Sequence, residues 1–385
     1  MPWTETVTMQ RLDFIRACLA GTHSVASLCR QFGISRKTGY KWIERFDPGD
    51  LRSLENLSRA RLTSSCVIPP GMAQCLISLR RAHPDWGPKK LRHWLINTGH
   101  PGHVPAASTI GSLLDREGLV TPRKVRRRTP GNAAGLTDIC RVNQVWSADF
   151  KGWFRLRDRS LCRPFTLTDN LSRYLLACEA GTRETGAFVR QNLERAFREY
   201  GLPDVIRTDN GHPFAGTGIA GLSRLSVWLI KLGILPERIR KGHPEENGRH
   251  ERMHRSLKGA LACGNIFTTQ AEQQAWFDAY RREFNAERPH EAHGGKTPST
   301  VWTPSARRWD GEVPEVKYPE GSRLLRVQAK GGIKLDEWMF LSEALRGEYV
   351  RLVEVDDGVD VILFDRLILA YYERAEKRII RVDPA

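Results

Sequence analysis

Two apolar runs in the middle of the chain each carry an aspartate at or near their end, and this pairing constrains the fold more than any other feature. Val145-Trp-Ser-Ala-Asp-Phe150 reads as a buried strand carrying Asp149. Asp204-Val-Ile-Arg-Thr-Asp209 reads as a second short strand, stopped at once by the turn pair Asn210-Gly211. A third acidic residue, Glu251, lies where a Pro/Asn/Gly loop passes into a helix expected over residues 247–261. Carboxylates on two strand ends and a facing helix make a hard-oxygen ligand set for divalent cations. Two such cations clamp the attacking and leaving oxygens of a phosphodiester. Glu245 and Glu246, in the same loop, are alternatives for the third ligand.

The rest of that helix adds to the picture. Arg255 and Lys258 follow Glu251 by four and seven residues and so share its face, placing cations for DNA beside a carboxylate for metal. His250 and His254 have an i, i+4 spacing that zinc sites also use. No further His or Cys group nearby completes four ligands, so packing or polar contact with DNA suits them better.

Charge points the same way. The 385 residues hold 60 Lys and Arg against 44 Asp and Glu, a net +16, which favours a polyanionic partner. The eight cysteines form no C-x-x-C pair, which argues against zinc fingers and a disulfide framework and fits a reducing compartment. No stretch has membrane-spanning length and the N-terminus has no apolar leader core. A soluble, cytoplasmic, nucleoid-associated chain with no membrane partner is expected.

The pattern along the chain is multidomain. Residues 1–50 read as three short helices, with Gly33 in a turn and Ser35 as an N-cap, the layout of a helix-turn-helix. The third helix, 36–46, presents Arg36, Lys37, Tyr40 and Lys41 to DNA. An extended linker, 51–64, leads to a second helix-turn-helix-like domain, 65–121, where Pro88 opens a helix and Ser108 is expected to cap another. A basic linker, 122–141, carries Arg123, Lys124, Arg126, Arg127 and Arg128 and is suited to tracking a phosphate backbone. Residues 142–305 alternate between strand and helix patterns, with strands expected at 145–154, 164–168, 174–180 and 204–208, giving a mixed sheet with helices packed on it. After a Pro/Arg/Gly-rich boundary, short strands around the turn Asp356-Asp-Gly358 suggest a small C-terminal β-barrel-like module over 321–385.

These segments resemble the catalytic core of bacterial insertion-sequence transposases and retroviral integrases, the ribonuclease-H-like class with an Asp-Asp-Glu triad. The resemblance runs through residues 145–300. It rests on Trp146-Ser-Ala-Asp-Phe150, Leu167-Thr-Asp169 with Ser172-Arg-Tyr174, Arg207-Thr-Asp-Asn-Gly211, Gly242-His-Pro244 with Asn247-Gly-Arg-His-Glu-Arg-Met-His-Arg-Ser-Leu-Lys258, and Phe284-Asn285 with Arg288-Pro-His290. It implies that the catalytic and metal-binding residues are Asp149, Asp209 and Glu251, rather than Glu245 or Glu246, and that Lys258 lies near the transposon end. The activity implied is that of a DNA transposase that binds terminal inverted repeats of double-stranded DNA, cuts, and joins a 3′-hydroxyl to target DNA. Two Mg²⁺ ions, replaceable by Mn²⁺, and a homo-oligomer of at least two chains go with it. The rival readings are a DNA-binding regulator on an inactive core and a metal-dependent nuclease. This sequence departs from the family in three places: Glu246 stands where Gln is common, His293 where an apolar residue is usual, and the Asp209-to-Glu251 interval is longer than in the retroviral relatives, with residues 216–226 as the extra loop.

Overall fold

A computed structural model describes residues 6–57, 68–120, 135–216, 218–356 and 358–381. The basic run Arg123, Lys124, Arg126, Arg127 and Arg128 lies outside the described residues, as does the second half of the 51–64 linker. The chain divides into two compact units, Met1–Val67 and Ile68–Ala385.

The first unit contains helices α1 (Val7–Leu19), α2 (Val25–Gln31) and α3 (Arg36–Arg45). Each starts at a hydroxyl side chain, Thr6, Ser24 or Ser35, which accepts a hydrogen bond from a backbone N–H in the helix's first turn. Phe14, Ile15, Leu28, Cys29, Trp42 and Leu54 form the core. Gly39 of α3 is buried where α2 crosses: a Cβ there would stand 2.5 Å from the Cys29 sulfur. Any larger residue would push the two helices apart.

The second unit opens with helices α4 (Pro70–Ala82), α5 (Pro88–Asn97) and α6 (Ala107–Arg116), packed around Leu76, Trp86, Leu91, Leu95, Ile110 and Leu114. Pro88 does open α5. Ser108 does not cap α6. The helix begins after Ala106, and Ser108 lies exposed inside it, because two alanines extend the helix back toward Pro105. These helices are fastened to the rest of the unit by polar contacts. Arg288, nearly buried, meets Asp85 at 2.5 Å, His83 meets Glu283 at 3.1 Å, and Asn97 donates to the Gly295 carbonyl at 2.9 Å.

The central sheet consists of β1 (Val145–Phe150), β2 (Phe154–Arg155), β3 (Leu161–Asp169), β4 (Leu175–Gly181), β5 (Val205–Thr208) and β6 (Leu235–Arg238). β3 lies between β4 and β1, antiparallel to both, while β1, β5 and β6 run parallel. The sheet is therefore mixed, as expected. β6 was not visible as a strand in the sequence because Pro236 interrupts it; it is an edge strand, where a missing N–H is tolerated. Helices α7 (Gly186–Tyr200) and α8 (Arg224–Lys231) cover one face, burying Trp146, Phe165, Leu193, Phe197, Ile206 and Trp228. Helices α9 (Gly248–Ala262) and α10 (Gln270–Ala286) cover the other with Met253, Leu257, Phe277 and Phe284. β4 serves both faces: Leu175 and Cys178 join the second core and Leu176 and Ala177 the first, the alternation being interrupted by an irregularity in its pairing with β3. Arg207 and Glu237 face each other across β5 and β6 at 2.5 Å, both side chains under a tenth exposed.

The C-terminal part contains β7 (Arg323–Arg326), the hairpin β8 (Gly332–Lys334) and β9 (Trp338–Phe340), then β10 (Tyr349–Asp356), β11 (Val359–Phe364), β12 (Leu367–Glu373) and β13 (Arg378–Arg381). The expected barrel-like closure is not found. The larger sheet has the open order β13-β12-β11-β10-β7, with β13 and β7 as edges. Its apolar face is covered by the central domain instead. Ile219, Leu222, Val227 and Ile230 form one core with Val327, Ile333, Leu341, Leu345, Val350, Ile362 and Phe364. The Ile219 N–H donates to the Leu341 carbonyl at 2.8 Å, and Lys231 pairs with Glu348 at 2.9 Å. Residues 219–222 and the α8 side chains Val227 and Ile230 are thus the seat of the C-terminal sheet.

Glu237 also accepts from the Thr137 N–H at 2.6 Å, so Glu237→Ala would leave Arg207 buried without its carboxylate. A loss of about 3–5 kcal/mol is expected. It should appear as a lower urea midpoint with an unchanged slope; an unmoved midpoint would show that the pair adds nothing.

Candidate active site

The parallel register sets up the site. Trp146 pairs with Ile206 and Ser147 with Arg207, so two residues further along Asp149 comes level with Asp209. Asp209 leaves β5 in a tight turn, its Oδ1 accepting from the Gly211 N–H at 3.0 Å. A Cβ on Gly211 would crowd the carboxylate at 3.0 Å, which is why the turn pair is Asn-Gly. Asp149 is half-buried, and its Oδ1 accepts from the Phe150 N–H at 2.7 Å. Its carboxyl is pushed up to about 7, first by burial and then by the negative charges of Asp209 and Glu251, with Lys151 opposing. Burial and two like charges thus act on one aspartate.

α9, which carries Glu251, is anchored to the sheet by two buried histidines. The Thr166 hydroxyl donates to the Asp149 carbonyl at 3.1 Å. Its oxygen then accepts from Nε2 of both His250, at 2.8 Å, and His254, at 2.7 Å. Nδ1 of His250 accepts from the Thr168 hydroxyl at 2.7 Å. Both rings are neutral: burial lowers His250 to about 3 and His254 further still. His254 Nδ1 then faces Asp149 Oδ2 at 3.8 Å with a lone pair. Asp149, His250 and His254 offer ligand atoms within 4.8 Å of one another. Of these, His250 has both nitrogens engaged and His254 has one, so the histidines act as struts more than as ligands.

The start of α9 is fixed by a second network. Ser147 donates to the Asn247 side-chain oxygen and accepts from the Asn170 amide, each at 2.8 Å. Asp169, fully buried at the end of β3, accepts from the Asn143 N–H at 2.7 Å and from the Ser172 N–H and hydroxyl at 2.7 and 2.6 Å. It holds the turn that follows β3.

Four family models match this chain. Two are described as integrase core domain, over residues 140–244 and 232–298. A helix-turn-helix domain matches residues 10–61 and a homeodomain-like domain residues 38–114. Residues 140–298 of this chain are thus similar to integrase core domains, and residues 10–114 to helix-turn-helix and homeodomain-like domains. Similar curated proteins are an uncharacterized 31.7 kDa protein of insertion element IS407 from Burkholderia multivorans, 28% identical over 41% of this chain and 54% of that one, and an uncharacterized 39.2 kDa protein of insertion element IS476 from Xanthomonas euvesicatoria, 25% identical over 64% and 69%. The chain thus spans about half the length of the first relative. Among solved structures, it is similar to the HTLV-2 integrase catalytic core domain in complex with magnesium (17% identity, 42% of this chain and 98% of that one, TM-score 0.33). It is also similar to a chain of the simian T-cell lymphotropic virus intasome in complex with the PP2A regulatory subunit B56 gamma (17% identity, 80% and 100%, TM-score 0.38).

Within the integrase core, the alternatives to Glu251 are engaged elsewhere. Glu246 is buried, accepting from the Arg240 N–H and guanidinium at 2.7 and 2.6 Å, and Glu245 pairs with His243 at 2.8 Å. Neither is among the charges that act on Asp149. Glu251, Arg255 and Lys258 are all exposed on α9. In the first unit, Arg36, Lys37, Tyr40 and Lys41 are exposed along α3, with the Lys41 ammonium 4.9 Å from the Trp42 ring. His293, the unusual residue of the 290s, meets the Ser172 carbonyl through Nε2 at 2.9 Å and so steadies the β3–β4 turn. No described helix is long and apolar enough to cross a membrane.

The carboxylate cluster can be tested without catalysis. Asp209→Asn removes a negative neighbour and should lower the Asp149 carboxyl from about 7, read by carbon NMR titration in metal-free buffer. An unmoved titration would mean that the two groups are not neighbours. The sign for stability follows. With its folded value raised, Asp149 costs stability as pH climbs from the unfolded value, about 3.9, to about 7, and nothing more is lost above that.

Proposed function

We propose that this protein is a DNA transposase that binds the terminal inverted repeats of an insertion element, cleaves the DNA there and joins 3′-hydroxyl ends to target DNA. The observation that carries this reading is the β1–β5 register that brings Asp149 level with Asp209, with the charges of Asp209 and Glu251 both adding to burial in raising the Asp149 carboxyl. Carboxylate oxygens fit a hard divalent metal, Mg²⁺ or Mn²⁺, better than a soft one. Asp149, Asp209 and Glu251 would hold two such ions. When bound, they supply the Lewis-acid charge that activates the attacking oxygen and stabilises the leaving one.

The chain's own part is positioning. Thr166 and the two histidines hold α9 against β3, and the Ser147–Asn247 bond fixes where α9 begins, so the Glu251 backbone needs no rearrangement to reach the aspartates. Arg255 and Lys258 would meet phosphates next to the reacting bond. Arg36, Lys37, Tyr40 and Lys41 would enter a major groove. Arg123, Lys124, Arg126, Arg127 and Arg128 would follow the backbone between the two. Two element ends must meet one target, so the working assembly is a homo-oligomer of at least two chains.

Asp149→Asn, Asp209→Asn and Glu251→Gln should each lower strand transfer by at least roughly a thousandfold. Binding to the element ends should change little, since phosphate contacts rather than metal ligands set affinity. A Glu251→Gln chain that still joins ends, with Glu246→Gln inactive, would overturn the assignment of the third ligand.

Activity should also vanish in EDTA and return with Mg²⁺ or Mn²⁺. If the unaltered chain binds ends in either metal but neither cuts nor joins, the reading as a regulator on an inactive core replaces this one.

A further inference from the structure

Beside α9, a turn and a helix face bring three guanidinium groups together. Arg173 sits in the β3–β4 turn with a left-handed backbone, φ 64°. Its Nη1 donates to the Asn170 carbonyl, and so does Nη1 of Arg249, at 3.0 Å. Arg252 lies one helical step from Arg249 on the same face, exposed to solvent. The charges of Arg249 and Arg252 both act on Arg173, which burial and this repulsion lower to about 10. None of the three has a carboxylate within ion-pair distance among the described residues. Asp169 is the nearest acidic influence, and both its oxygens are taken by Asn143 and Ser172. Arg207, whose charge reaches Arg249, is buried and already paired with Glu237.

Two guanidinium groups on one carbonyl, with a third positive charge acting on Arg173, are unfavourable unless an anion completes them. The surroundings indicate which anion. His293 meets the Ser172 carbonyl of the β3–β4 turn at 2.9 Å, and the same segment meets α5 through Lys89–Glu291 at 3.5 Å and Asn97–Gly295 at 2.9 Å, so residues 291–295 join the turn that carries Arg173 to the helices α4–α6. Arg249 and Arg252 flank Glu251 in sequence. A duplex held by α4–α6 would pass Arg173 on its way to Asp149.

We propose that Arg173, Arg249 and Arg252 form a binding site for a backbone phosphate of the element-end duplex, seating the DNA between the docked helices and the carboxylates. Planar guanidinium forks suit a phosphate better than ammonium groups do. The site deepens the transposase reading and rests on it for the identity of the DNA.

The test measures affinity of the full chain for two fluorescent 40-base-pair duplexes against salt concentration. One duplex carries the terminal repeat flanking the gene, the other a scrambled sequence. Arg249→Gln and Arg252→Gln should each flatten the plot of log affinity against log salt by about 0.9 for the element-end duplex. The pair Arg249→Lys and Arg252→Lys should keep the slope while losing affinity. The Arg252 side chain has no hydrogen bond or ion pair among the described residues, so Arg252→Gln keeps the measurement open if Arg249→Gln disturbs the turn. Unchanged slopes in both variants would overturn the proposal. So would normal end binding with a loss confined to capture of target DNA, which would move the site to the target. Glu251→Gln runs alongside: if it still joins ends, the transposase mechanism fails, whatever the slopes show.

Discussion

Two carboxylates fixed side by side on parallel strands repel each other, and much of this protein exists to keep them there. The β1–β5 pairing sets their level, but a pair of short strands does not hold a charged cluster by itself. What holds it is a sheet buried on both faces, with α7 and α8 on one side and α9 and α10 on the other. Burial, together with the negative charges of Asp209 and Glu251, is a standing cost, visible in the Asp149 carboxyl raised to about 7. Sites that carry such a cost are generally those where chemistry needs it.

The two histidines of α9 show how a charged helix is kept against a sheet. Their rings are neutral, buried and bonded to threonine hydroxyls, so they bring no charge of their own to the aspartates. A longer apolar pair would also pack, but it would leave the Thr166 and Thr168 hydroxyls in a dry space without partners. The same helix turns different faces to different tasks. His250, Met253, His254 and Leu257 point inward, Glu251 joins the aspartates, and Arg249 and Arg252 stand beside the β3–β4 turn.

Local signals in the sequence were reliable where the physics is local. Asp149 and Asp209 stood out because an apolar run must stop where a charge begins, and Asn210-Gly211 because only a small residue fits behind the Asp209 carboxylate. Ser35 and Pro88 marked helix starts for similar reasons. Long-range partners were not legible. His250 and His254 have a metal-like spacing, and their real partner, Thr166, lies more than eighty residues away. Glu245, Glu246 and Glu251 differ little in local context; it is Arg240 that removes Glu246 from contention. The C-terminal strands alternate as a barrel's would, and alternation does not reveal whether a sheet closes on itself or is covered by something else. Here the cover comes from a hundred residues upstream or more, in a loop with no strand pattern.

That distant cover has a consequence for how the chain is made. Ile219, Leu222, Val227 and Ile230 leave the ribosome long before β10 to β12, the strands that bury them. At about 5–20 residues per second, the exposed apolar patch waits on the order of ten seconds for its partner. Throughout that interval the central domain resembles a truncated protein with an open greasy flank. A ribosome that stalls or a message that ends before residue 345 would release that state permanently. Chains cut off there would then tend to aggregate or be degraded rather than persist as folded fragments.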